Sequence, residues 1–100
     1  MRDPLEPVDP HEEAAANARA ALKRKQQIDD FKWLMAHAQG RRFVARLLEE
    51  CGVHRTSFNH SGSVMAFNEG KRNVGLFIMA EVLEHAPKEY TRLLKEHADD

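Results

Sequence analysis

The nearest thing to a chemical cluster in this chain is Cys51, His54 and His60, at spacings of three and six. Cysteine and histidine so placed are zinc ligand types, but a structural zinc wants four ligands, usually in paired C-x-x-C or H-x-x-x-H units. The fourth would have to come from His85 or another remote group. The plainer reading is a small buried thiol on a helix stripe and two exposed loop histidines, with no metal and no cofactor. Cys51 is also poorly placed as a nucleophile, because it ends its helix, where the dipole does not favour a thiolate. Ser57, Ser61 and Ser63 lie in a loop without an elbow motif. Gly70 and Gly75 fall inside a helical pattern, not between a strand and a helix, so they form no phosphate loop. No enzyme is expected.

A second set of residues could bind phosphates. Arg41, Arg42 and Arg46 project from one short helix, and Arg55, Lys71 and Arg72 follow on a loop and the next helix. A helix-turn-helix reader gathers such charges on one face, but its turn is three or four residues, whereas the loop here covers residues 53–62. Glu49, Glu50 and Glu69 are near enough in sequence to pair with these cations, so a solvated, salt-bridged surface comes first. A nucleic-acid interface built on the six is the alternative. The net charge of −1 gives no global pull toward phosphate. Residues 1–28 and 29–50 each balance, residues 51–80 carry +2 and residues 81–100 carry −3. A mildly basic middle precedes an acidic end.

These residues need helices to hold them. Pro4, Pro7 and Pro10 among acids make residues 1–9 an extended arm, with Asp9 as N-cap and Pro10 in the first turn of a helix. EEAAANARAALKRKQQ is helical by propensity, but its apolar positions are almost all alanine, so residues 10–27 are expected to stay peripheral. Asp29 and Asp30 are candidate caps for a second segment. Ile28, Phe31, Leu34, Met35 and Ala38, then Phe43, Val44, Leu47, Leu48 and Cys51, form a helical stripe. Two short helices meeting near Gly40 are expected, with Gly52 as the stop. Phe58 is expected to pin the following loop to the core, and Ser63 to cap the next helix. Met65, Phe67, Val74, Phe77, Ile78, Met79, Val82 and Leu83 give that helix a broad apolar face, and Trp33 and Phe67 read as core. Pro87 opens a last helix that aligns Tyr90, Leu93, Leu94 and His97.

No period-two alternation occurs, so the fold class is all-α. The expected architecture is a bundle of three to four core helices over residues 28–98, with an arm and Ala-rich helix over residues 1–27. Hydrophobic residues at 42% and charged residues at 31% are globular composition. A core-forming segment of about 70 residues is marginal alone and leans on a partner or an oligomer. The single cysteine excludes an internal disulfide and fits a reducing compartment. No apolar run reaches bilayer-spanning length, and the acidic, proline-bearing start does not read as a signal peptide.

DFKWLMAHAQGRRFVARLLEECGV, SFNHSGSVMAFNEGKRNVGL and APKEYTRLLKE together resemble a family of short tailed-bacteriophage proteins (Bbp-type), named after a small Bordetella phage protein. The resemblance covers roughly the last 70 residues. It is most specific at Arg41–Arg42 and in Phe67-x-Glu69-Gly70-x-Arg72-Asn73-x-Gly75. Many relatives carry proline where this chain has Ala38. The resemblance implies a three- to four-helix protein encoded near head, portal and tail genes, with no assigned activity. A virion or assembly role beside other phage structural proteins, in the particle or the host cytoplasm, is the expectation it supports. The signature also has a physical reading. Arg41, Arg42, Glu69, Arg72 and Asn73 are expected to form a polar network joining the helix near Gly40 to the helix near Ser63. Gly40, Gly70 and Gly75 would let the backbones approach.

Overall fold

The computed structural model describes residues 4–98, and among them there are four helices and no strand. They are α1 (Pro10–Ala36), α2 (Ala38–Glu50), α3 (Gly62–His85) and α4 (Pro87–Glu96). The all-α expectation holds. The chain divides into two compact units at Asp30/Phe31.

In the first unit, the carboxylate of Asp9 accepts from the backbone N–H of His11 at 2.9 Å, and Glu12 and Glu13 complement the dipole of the first turn. Every described residue from Pro4 to Gln27 is exposed. The expected break at Asp29–Asp30 does not occur, because α1 runs on through it. Asp29 pairs with Lys25 at 3.7 Å, one turn back along the helix, where the exposed pair supports the helix instead of capping a new one.

In the second unit, the chain breaks at His37, three residues before the expected Gly40. His37 alone is extended, at φ −107° and ψ 140°, and its Nδ1 lies 2.7 Å from the Trp33 carbonyl. Gly40 sits in the first turn of α2, where a Cβ would run into the Leu34 carbonyl. The missing side chain lets α2 fold back on the last turn of α1. Gly52 stops α2 at φ +68°, a backbone position that favours glycine.

Ser61, not Ser63, caps α3, since its Oγ accepts from the Val64 N–H at 3.4 Å. Pro87 opens α4 as expected. Helices α2, α3 and α4 pack pairwise on one another. Met35, Val44 and Val82 lie at the centre of the core, closed by Leu48, Val53, Ala86 and Leu93.

This core is small, and several expected members lie outside it. Trp33, Phe58 and Phe67 are each 66% exposed and Phe43 is 46% exposed, while Ile78 packs against the core's edge. Phe58 therefore does not pin its loop. Its ring meets His60 edge-on at 5.6 Å, on the surface.

Candidate functional site

Helix α3 carries apolar residues around most of its circumference. At about 100° per residue, Gly75, Met79 and Val82 form one side, and Phe67, Gly70, Val74 and Phe77 another. The first side is built in. A Cβ on Gly75 would meet the Val53 side chain and lie 2.6 Å from Cys51 Cβ, so the turn after α2 packs directly on the α3 backbone. The second side is open. Phe67, Val74 and Phe77 are 66%, 56% and 64% exposed, and nothing stands within 4 Å of a Cβ on Gly70. Gly70 is therefore not a close-packing position in this chain. The Lys71 ammonium lies 5.2 Å from the Phe67 ring centre, covering part of one face.

The expected polar network takes a different form. Arg41 is almost fully buried and reaches α4: its Nε lies 3.1 Å from both Glu96 carboxylate oxygens, and its Nη2 donates to Oε1 at 2.7 Å. Its Nη1 donates to the Met35 carbonyl at 3.0 Å, so one side chain ties the end of α1, α2 and α4 together. The hydrogen-bonded Arg41 guanidinium holds the Glu96 carboxyl below its usual range, and the carboxylate raises Arg41 further above its own. Glu69 instead accepts from the Ser57 hydroxyl and pairs with Arg72 at 3.7 Å, pinning the loop to α3. Among the described residues no hydrogen bond or ion pair joins Arg41 or Arg42 to Glu69, Arg72 or Asn73. The reason is reach: Arg41 points into the interior, where α4 supplies a carboxylate, and Arg42 and Asn73 are exposed.

The six cations proposed for phosphates also separate. Arg41 is committed to Glu96. Arg42 and Arg46 edge a groove of about 820 Å³ between α2 and α4, floored by Phe43, Leu48, Leu93 and Leu94. Arg46 stacks on Phe43 at 5.5 Å. Arg55, Lys71 and Arg72 line a separate pocket of about 160 Å³ with Thr56, Ser57 and Asn68. There Arg55 donates to the Glu49 carbonyl at 2.6 Å.

Among the described residues no group of three or more His, Cys, Asp or Glu side chains could hold a metal ion, so Cys51, His54 and His60 do not converge. No helix among them is long and apolar enough to cross a membrane.

A family model for the Bbp19-like phage proteins matches residues 31–95. The chain belongs to the Bbp19-like phage protein family. No curated protein and no solved structure matches it. The family match begins where the second compact unit begins, so the packed helices α2 and α3, Arg41 and both sides of α3 lie in the Bbp19-like segment, while Glu96 stands one residue past its end.

Glu96 and the open side of α3 are the elements that sequence reasoning missed. Nothing local marks Glu96 as the partner of Arg41, 55 residues away. The open side did leave a signal: the apolar positions of α3 span more of the helical wheel than one packing face can bury.

Proposed function

We propose that this Bbp19-like protein is a non-enzymatic accessory of a tailed-phage particle or of its assembly, and that it acts by docking on another phage structural protein. The observation that carries this reading is the exposed Phe67–Val74–Phe77 stripe on α3. A helix apolar nearly all round is normally enclosed. Here α2 and α4 enclose one side only, and the other matches the anchoring pattern of helix-in-groove recognition, with residues at i, i+7 and i+10. Covering each of these side chains contributes on the order of 1–2 kcal/mol. The phage setting follows from family membership, and head, portal and tail proteins are the natural partners.

The test is mass spectrometry of purified virions and procapsids from the phage that encodes the chain. It should be found in one of them, and a Phe67→Ser/Phe77→Ser phage should lose it while the free variant stays folded. Absence of the wild-type chain from both particles removes the reading.

A second reading rests on the Arg55–Lys71–Arg72 pocket. The buried Nε of Arg72 there has no hydrogen-bond partner among the described residues, and a phosphate oxygen would supply one. Phage nucleic acid held this way would dissociate steeply with added salt. A mobility shift insensitive to salt, or none in low salt, ends that idea.

A further inference from the structure

We propose that the Arg55–Lys71–Arg72 pocket is an end site: it takes the phosphomonoester of a strand-terminal nucleotide and not the diesters along a nucleic-acid chain. The inference rests on the second reading above and narrows it to one kind of phosphate.

An arginine holds an oxyanion well side-on, with two N–H groups donating in parallel. Arg41 does this with Nε and Nη2 on the Glu96 carboxylate. Arg72 instead turns its Nη1 to Glu69 at 3.7 Å, and its Nε is shielded from solvent with no partner among the described residues. The edge that Arg41 uses on a carboxylate is thus unpartnered at Arg72. The Arg72 side chain is 35% exposed, so an oxyanion can reach that edge from outside.

The surroundings suit a small, doubly charged group. Arg55 is held in place, lying across Gly52 with its Nε and Nη2 3.6 Å from where a Cβ there would stand. Its Nη2 donates to the Glu49 carbonyl at 2.6 Å, and a guanidinium has further N–H groups to offer. Lys71 has no carboxylate partner among the described residues, and Glu50 is the one acid lining the pocket. Three cations and one acid leave a net charge of +2. A phosphomonoester carries about −1.5 to −2 at neutral pH and offers three free oxygens. A diester carries a single charge and offers two.

Size points the same way. The pocket's volume of about 160 Å³ is below the roughly 300–1,000 Å³ of sites that enclose a whole small molecule. It admits one phosphate group. A more open cavity of about 500 Å³, lined by Val53 and His54, shares Arg55 and Arg72 with it and gives the attached nucleoside somewhere to lie. A strand gripped along its backbone needs a basic groove that tracks it. Here three cations converge on one point, and Arg42 and Arg46 lie in the separate α2–α4 groove.

Fluorescence anisotropy of the full-length chain in low salt tests this with one internally labelled strand, carrying phosphates on both ends or hydroxyls on both. The phosphorylated strand should bind about tenfold tighter or more. Arg72→Lys keeps the charge beside Glu69 but lacks the side-on edge, and should erase most of that preference. Lys71→Gln, at an exposed position, should also reduce it, and serves alone if circular dichroism shows Arg72→Lys unfolded. Arg42→Gln/Arg46→Gln should leave it unchanged. A nucleoside monophosphate should displace the strand, but only at higher concentration than the phosphorylated strand itself. Equal binding of the two strands overturns the end site and leaves the second reading standing, whereas no binding of either removes both. The end site is also overturned if the groove variant loses the preference, or if a folded Arg72→Lys or Lys71→Gln keeps it in full. A monophosphate that never displaces the strand overturns it too, and so does one that matches the strand, which assigns the pocket to free nucleotides.

Discussion

Gly70 and Gly75 stand five residues apart on α3, about 140° around the helix, and face different surroundings. Gly75 is buried under Val53 and Cys51; Gly70 looks into open space between Phe67, Val74 and Phe77. The same residue type serves packing inside the chain in one case and leaves a surface unfilled in the other. One side of α3 folds this protein, and the other is left open. The folding side is held by a few residues: Met35 and Val82, both fully buried, and the Arg41 side chain that grips Glu96 and the Met35 carbonyl.

The largest effect should come from breaking the enclosed side at its centre. Met35→Ala removes a fully buried side chain and is expected to cost about 2–5 kcal/mol in denaturant unfolding, because the cavity relaxes only in part. A loss under half a kilocalorie would mean that the core lies elsewhere.

The Arg41–Glu96 clamp adds a pH signature to the same side. Glu96 is depressed in the folded chain, so its contribution is present above the ordinary carboxylate value and is lost as pH falls through the depressed one. Arg41 is raised, so its contribution is present below the ordinary guanidinium value and is lost only in extreme alkali. Glu96→Gln should lower the unfolding midpoint at neutral pH, and its gap from wild type should narrow as pH falls below the ordinary carboxylate range. A gap that does not change with pH would dissociate the clamp from stability.

The two glycines give the sharpest contrast. Gly75→Ala gains helix propensity but forces a methyl into Cys51 and Val53, for an expected net loss of about 1–2 kcal/mol. Gly70→Ala meets nothing and should stabilise the free chain by about 1 kcal/mol. Thermal or urea unfolding reads both, and equal signs would erase the distinction between the two sides.

The smallest effect is expected on the open side itself. Phe67→Ser should leave the free chain's stability within about half a kilocalorie of wild type, since the ring is two-thirds exposed.

How much of this was legible in the sequence depended on distance along the chain. Asp9 as a cap, Gly52 as a stop and Pro87 as a start are set by the residues beside them, and the all-α class follows from periodicity. Continuity of α1 through Asp29–Asp30 was missed because a capping residue in a strong helical context can pair one turn back, as Asp29 does with Lys25. The break at His37 was placed at Gly40 because glycine can mark either a bend or a close approach, and here it marks the approach to Leu34. The expected network joining Arg41 and Arg42 to Glu69, Arg72 and Asn73 does not form, because the partner of Arg41 lies on α4, beyond what local spacing reveals. Trp33, Phe43 and Phe67 fit helical stripes, and a stripe does not say whether its cover belongs to the same chain.

Oxidative footprinting of Phe67 and Phe77, in the free chain and in the purified phage particle, tests directly whether the open side of α3 is a docking surface. Both rings should be modified readily in the free protein and protected several-fold in the particle. Equal modification in the two states would show that no partner covers this side of the helix.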